Sequence, residues 1–419
     1  MVTKRKTDTV WDVVVIGGGP AGMMAAGRAA ERGRSVVVLE KNATLGKKLL
    51  ITGGGRCNLT NNKPDTRAML SHYEGSDQFL FSAFAQFDVQ ATLDFFNRRG
   101  MATKEEEEGR MFPVSDKAQS VLDVLVWYMQ EGGARVHMNA AVEDIAVDAK
   151  THHMHVRLSD ATEVVGRACV VATGGTSRPE TGSTGDGFVC VEKLGQTCIK
   201  NIFALVPVAL KDAWAKKLSG VTLEDVKLTV FQNGTKQGMK KGKILFTHFG
   251  ISGPTVLNMS KTIGELLEQG DVMIMLDLFP KYEHDALKKQ LQTLLIEESN
   301  KKIKNTLDAL VPSGLVPALL ALAWIDGETA NHSVKKEERV RLVSLLKAVP
   351  LHVKGLLGAD KAIVSSGGAD LKEVDFKTMR SRVVPNLYIA GDTLNIDRPS
   401  GGYSLQICWT TGFVAGSHC

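Results

Sequence analysis

Short, unbroken apolar runs punctuate the chain, and each ends at glycine or at an acid. Asp12-Val13-Val14-Val15-Ile16 is rich in β-branched residues with no polar alternation, which predicts a parallel strand buried on both faces. The Ala-rich stretch from Met23 to Arg32, ending at Gly33, predicts a helix, and Ser35-Val36-Val37-Val38-Leu39 predicts a second strand running into Glu40. Ala168-Cys169-Val170-Val171 is a third such run, ending in Ala172-Thr173-Gly174-Gly175; before it, residues 134–138 suit a strand and 141–145 the start of a meander. Near the far end, Asn386-Leu387-Tyr388-Ile389-Ala390 meets Gly391-Asp392, and Gly401-Gly402-Tyr403-Ser404-Leu405-Gln406 opens a last helix. Between these ends the period changes twice. Residues 202–276 contain period-2 stretches such as 226–231 before an Asn233-Gly234 turn, a hairpin signal. Residues 281–351 turn helical, with Leu287, Leu291, Leu294 and Leu295 at helix spacing and Pro312 and Pro317 as breaks, and Ala362 to Gly368 is β-like again. The pattern predicts an α/β protein: a discontinuous Rossmann-like domain from residues 1–200 and 356–419, a β-rich inserted domain at 201–280 and a small helical one at 281–355.

The first strand runs directly into Gly17-Gly18-Gly19-Pro20-Ala21-Gly22, a G-x-G-x-x-G turn followed by a helix. Gly17 permits the tight turn, Gly19 lets the backbone approach a pyrophosphate, and Gly22 lets helix and strand pack closely, with Pro20 and Ala21 at the helix start. Glu40 stands at the tip of the second strand, where a carboxylate accepts both hydroxyls of an adenosine ribose and disfavours a 2′-phosphate. The site therefore suits FAD or NAD.

Three further segments favour FAD and make the fold one of two-dinucleotide type. In the first, KNATLGKKLLITGGGRCNLTN from Lys41 to Asn61, Gly53, Gly54 and Gly55 expose backbone N–H groups and Arg56 offers a fixed fork of donors. Lys41, Lys48, Cys57 and Asn58 of this stretch join the cofactor-binding candidates. The second is Thr173-Gly174-Gly175, with Val142 placed to meet adenine and Asp186 further along. In the third, Gly391-Asp392 places an acid for the ribityl hydroxyls, while the helix start at Gly402, Tyr403, Ser404 and Leu405 faces the N1/C2 edge of a flavin.

Composition sets bounds on this picture. A chain of 419 residues suits two or three domains, and 43% hydrophobic with 23% charged residues is globular. No apolar run approaches the ~18–20 residues of a membrane span, and Met1-Val2-Thr3-Lys4-Arg5-Lys6 is no secretory leader, so a cytoplasmic protein is expected. The six cysteines form no C-x-x-C pair, which argues for reduced thiols and against a metal site. The net charge of +5 is concentrated: Lys200 to Lys354 holds 22 Lys+Arg against 16 Asp+Glu, a balance of +6. Clusters such as Lys236 to Lys243 suit either phosphate contacts or an ordinary solvated face.

With these residues assembled, the chain resembles the BaiN/RdsA-type family of NAD(P)/FAD-dependent oxidoreductases over nearly its full length. The marks are Thr52 to Asn61 (TGGGRCNLTN), Glu108 to Pro113 (EGRMFP), Thr181 to Gly187 (TGSTGDG) and Leu245 to Pro254 (LFTHFGISGP). The resemblance implies a FAD domain from both chain ends, a β-rich insertion and a small helical domain. It also implies reduction of a C=C bond conjugated to a carbonyl, with NADH or NADPH as transient donor, since no second G-x-G-x-x-G is present. Uridine in large-subunit ribosomal RNA leads among the implied substrates, ahead of a bile-acid-like enone or oxidation of an amino ketone. An acid must protonate the α-carbon, and the candidates are Cys57, its thiol tuned by Arg56, Tyr403 and His248. The chain departs from the family pattern at Asp392 (usually Glu), Ser404 (usually Asn) and Gln196 (usually His).

Overall fold

In the computed structural model, which describes residues 6–63, 65–73, 75–358 and 364–419, the valine runs lie at the centre of a seven-stranded sheet. Strand Lys6–Ile16 is flanked by Val36–Leu39 and Glu163–Val171, both parallel to it, and Val13, Val14 and Val15 have no exposed surface. Cover on both faces is why these runs show no polar alternation. Arg135–His137 pairs with Val36–Leu39, and Leu387–Ile389 pairs with Glu163–Val171, again in parallel. The registers set Leu39, Ile16, Val171 and Ile389 level with one another. The chain therefore leaves the sheet at Glu40, Gly17, Ala172 and Ala390 side by side, at the carboxyl edge where open α/β sheets take ligands. Val142–Val147 and Met154–Leu158 complete the sheet as an antiparallel meander.

The first helix, Pro20–Glu31, packs on the last, Tyr403–His418, through residues without bulk. A Cβ at Gly412 would stand 2.5 Å from the carbonyl oxygen of Ala21, and one at Gly416 would stand 2.3 Å from that of Ala25. Both pairs are spaced i, i+4, so one stripe of each helix forms the seam. Thr60–Asn61, Arg110–Pro113 and Thr103–Glu106 form a small antiparallel sheet in the same unit.

The chain divides into two compact units, Met1–Phe203 with Ile363–Cys419, and Ala204–Ala362. The second is a closed barrel of six strands, in spatial order Val208–Leu210, Gly250–Ser252, Thr235–Thr247, Thr222–Gln232, Val272–Asp277 and Val349–Leu356. The Asn233-Gly234 turn has φ of +49° and +75°, the left-handed pair that a two-residue hairpin requires. Four helices, His284–Glu297, Ile303–Leu307, Val316–Ala323 and Lys336–Lys347, enter between the last two barrel strands. Leu287, Leu291 and Leu295 join Leu276, Val349 and Leu351 in one apolar cluster. The β-rich and helical segments thus share a core, where periodicity suggests separate domains. Pro317 opens the helix Val316–Ala323 instead of breaking it, because a first-turn N–H has no intrahelical partner to lose. Ala362 and Ile363 of the expected return strand, and Met1 to Arg5 of the leader reading, lie outside the described residues; the strand itself is Val364–Ala369.

Candidate dinucleotide site

A cleft of about 980 Å³ opens at the carboxyl edge of the sheet, lined by the glycine turn, Glu40, Lys41, Lys48, Val142, Thr173, Gly174, Asp186 and Asp392. Gly17 has φ +103°, and a Cβ there would lie 2.6 Å from the Ala172 oxygen. At Gly22 a Cβ would fall 1.9 Å from the Gly17 oxygen, which fixes how closely helix and strand pack. At Gly19 it would meet nothing within 4 Å, so the turn is bare there. The helix Pro20–Glu31 starts at Gly19 with no side-chain cap, and its free N–H groups and positive dipole end are available to an anion.

Polar groups around the cleft are held in place. Buried Glu40 accepts from Gly18 N at 2.7 Å through Oε2, and from Asn42 N at 2.8 Å and Asn42 Nδ2 at 2.7 Å through Oε1. Lys41 Nζ donates to Thr184 Oγ1 and to Asp186 Oδ2, both at 2.6 Å. Burial pushes the Asp186 carboxyl up, but the bonds from Lys41 and Thr184 outweigh it and hold the group below the usual range. Lys48 donates to Ser177 Oγ at 3.0 Å and, among the described residues, makes no ion pair. Burial lowers its pKa, and the carboxylate of Asp392 opposes that shift. Thr173 Oγ1 is buried and has no hydrogen-bond partner among the described residues, and Gly175 is buried. A bare glycine, an uncapped helix and an unpaired ammonium fit a pyrophosphate; Glu40 and Val142 fit an adenosine.

The GGGRCN loop lies outside the cleft lining. Gly53, Gly54 and Gly55 have φ of +56°, +69° and +88°, and Gly54 has nothing within 4 Å of where a Cβ would sit. Arg56 is not a free donor fork. Its Nε donates to Asp116 Oδ1 at 2.9 Å, its Nη2 is bonded to Glu106 and Asp116, and its guanidinium lies 4.3 Å from the Phe112 ring centroid. Nor does it tune Cys57: burial pushes that fully buried thiol up to about 12, opposed only by a hydrogen bond with Thr52. The amide of Asn58, oriented to satisfy both ends, donates to Thr60 O at 3.0 Å and accepts from Gly402 N at 3.1 Å. It fastens the loop to the last helix, which is a different task from meeting a cofactor.

Tyr403 is 4% exposed and packs against His72 and Tyr73, with ring centroids 4.7 and 5.9 Å away. Burial, with some help from Glu108, pushes its hydroxyl up to about 12. Leu405 is buried, Ser404 accepts from Arg398, and Gly391, whose Cβ would lie 2.8 Å from that of Ala21, donates to Thr411 Oγ1 at 2.9 Å. His248 belongs to the barrel unit, exposed beside Phe249.

A model of the HI0933-like protein Rossmann domain matches residues 11–418. The chain belongs to the HI0933-like family. It is 32% identical over 406 residues to the 3-dehydro-bile acid delta(4,6)-reductase of Clostridium scindens, covering 96% of this chain and 97% of that one. It is 30% identical over 411 residues to the ribosomal RNA dihydrouridine synthase of Escherichia coli, covering 96% of each. The crystal structure of 3-ketosteroid delta1-dehydrogenase from Sterolibacterium denitrificans shares the fold, with a TM-score of 0.54, 13% identity and coverage of 98% and 99%. This HI0933-like protein is an oxidoreductase of the FAD-dependent class.

Sequence reasoning missed Asn42, Ser177, Thr184, Cys408 and Arg398. Asn42 stands two residues past Glu40 and Thr184 lies inside the TGSTGDG mark, so both were within reach; the others had no local signal. In the HI0933-like fold the buried acids Cys57, Cys169, Cys408 and Tyr403 all have pKa values raised by burial. A raised folded pKa means the native state holds these protons longer than the unfolded chain. Their contribution is full below the unfolded values, about 8.5 for thiols and about 10 for tyrosine, and is lost as pH climbs toward 12. Thermal unfolding at a series of pH values is expected to show stability falling above about pH 9, with Cys57 resisting iodoacetamide at pH 8; rapid alkylation of Cys57 in folded protein would contradict the burial argument.

Proposed function

We propose that this protein reduces uridine to dihydrouridine in large-subunit ribosomal RNA, with FAD in the cleft and NADH or NADPH as transient electron donor. The observation that carries the RNA reading is a basic strand. Lys236, Lys240 and Lys241 are exposed on Thr235–Thr247, and among the described residues none of the three makes an ion pair. Several lysines elsewhere in this unit are neutralised, as Lys243 is by Glu224 and Lys302 by Glu328. Lys240 Nζ donates to the Asn258 carbonyl at 3.3 Å, so what these lysines lack is a carboxylate partner; ammonium groups without one on a single strand suit phosphates, which supply most of the affinity for nucleic acid. The E. coli relative's name, and that of a Haemophilus influenzae relative 28% identical over 406 residues, point the same way.

FAD, when bound, supplies hydride-transfer chemistry. In this reading Lys48 and the helix start hold the pyrophosphate, and Glu40 with Val142 orients the adenosine. Cys57 has no exposed surface; in this reading the proton destined for the α-carbon is assigned to Tyr403, which is itself only 4% exposed and is protonated throughout the physiological range. The 32% identity to the bile-acid reductase favours a second reading, reduction of a small enone.

The test is incubation of the purified flavoprotein with NADH or NADPH and ribosomal RNA lacking dihydrouridine, followed by mass spectrometry of the nucleosides. New dihydrouridine supports the proposal; turnover of a steroid enone with none in RNA selects the second reading. The K236Q/K240Q/K241Q variant is expected to bind RNA more weakly, with a salt dependence shallower by about 0.7–0.9 per lost contact. An unchanged slope would remove the basic strand from the argument.

A further inference from the structure

One buried arginine joins the end of the strand Leu387–Ile389 to the first turn of the last helix. The Arg398 side chain is 1% exposed. Its Nε donates to Ser404 Oγ at 3.0 Å, its Nη1 to the Ile396 carbonyl and its Nη2 to Asp392 Oδ1. Buried and committed in three directions, the guanidinium is not placed to grip a ligand itself. Its partner, however, lines the dinucleotide cleft together with Lys48. Asp392 and Arg398 act on Lys48 in opposite senses, the carboxylate favouring its charged form and the guanidinium opposing it, so the three belong to one charge set. Within that set Asp392 pairs with Arg398, and among the described residues Lys48 donates only to the neutral Ser177 hydroxyl.

We infer that Arg398 is a positioning residue for cofactor binding: it holds the carboxylate of Asp392 away from Lys48, so that the cleft presents an uncompensated ammonium to a pyrophosphate. Without it, Asp392 is a half-buried carboxylate lining the same cleft as Lys48, and a Lys48–Asp392 pair would offer an anion no net charge. The same arginine ties the strand end to Ser404, fixing the helix start relative to the cleft.

The inference rests on the FAD reading of the cleft, and the test separates the two. Deflavinated protein is titrated with FAD by flavin fluorescence, using wild type, Arg398→Met, Asp392→Asn/Arg398→Met, Lys48→Met and Lys48→Met/Arg398→Met, with thermal unfolding of each apoprotein. Arg398→Met is expected to raise the Kd for FAD by about 10-fold or more, and Asp392→Asn in the same chain to recover most of that loss. On the Lys48→Met background, Arg398→Met should add little. Wild-type affinity in Arg398→Met, no recovery in the double variant, or full additivity with Lys48→Met would each overturn the inference. Should Arg398→Met not fold, the Asp392→Asn/Arg398→Met and Arg398→Lys proteins decide: affinity within about threefold of wild type supports it, and a tenfold loss in either overturns it. Failure of the wild-type protein to bind FAD would instead sink the cofactor reading.

Discussion

Gly416→Val is expected to lower the melting temperature of the dinucleotide-binding unit by about 6–12 °C. A Cβ at this position would already lie 2.3 Å from the Ala25 oxygen, well inside any real contact, and the obstacle is backbone. Rotating a side chain cannot relieve it. The last helix cannot swing about Gly416 either, because one turn earlier Gly412 is pressed equally closely on Ala21. Both helices are packed on the central sheet, so the seam must open and the apolar surface along it must be rehydrated. Overpacking in a core costs typically 1–3 kcal/mol, and a backbone clash with no flexible neighbour belongs at about 3 kcal/mol or above. At about 2–4 °C per kcal/mol for a unit of this size, that gives the stated shift. Circular dichroism melts of the apoprotein measure it. Gly416→Ala should move in the same direction by less, and an unchanged melt in both would mean that the two helices do not meet along this stripe.

That seam was not legible in the sequence, whereas the cleft beside it largely was. Glycines at 412 and 416 inside a helical pattern say only that something approaches closely; what approaches is set by a helix nearly four hundred residues earlier. The strand ends were legible because each apolar run stops where the chain must turn, at Gly17, Glu40, Gly174 or Gly391, and parallel pairing brings such stops to one edge. Charge pairing was not. Arg56 reads as a donor for phosphate until Glu106 and Asp116 fold beside it, and Asp392 reads as a free carboxylate until Arg398 reaches it. In each case the deciding partner comes from outside the motif, and a local pattern carries no information about which carboxylate or guanidinium will be its neighbour. The same blindness explains the insertion: period 2 followed by period 3.6 describes a barrel and helices correctly, but says nothing of whether they share a core.

Gly19→Ala and Gly22→Ala form a pair whose difference in outcome tests the cofactor site. At Gly22 the added methyl falls 1.9 Å from the Gly17 oxygen and 3.3 Å from Val15 Cγ1, so the helix must back away from the strand whether or not a cofactor is present. Its start, with the free N–H groups, moves with it. The expected result is a destabilised apoprotein, by about 1–3 kcal/mol, that is also nearly colourless after purification. At Gly19 the methyl meets no protein atom within 4 Å, and the apoprotein melt should stay within about 0.5 kcal/mol of wild type. The space it fills is nonetheless where a pyrophosphate must come against the backbone to reach the uncapped helix. Affinity for FAD is expected to fall by about 100-fold there, comparable to the loss of two charge-assisted hydrogen bonds. Absorbance near the flavin maximum of the purified proteins and fluorescence titration of the apoproteins read the binding, and melts read the stability. Wild-type affinity in Gly19→Ala would show that the phosphates do not lie against this turn.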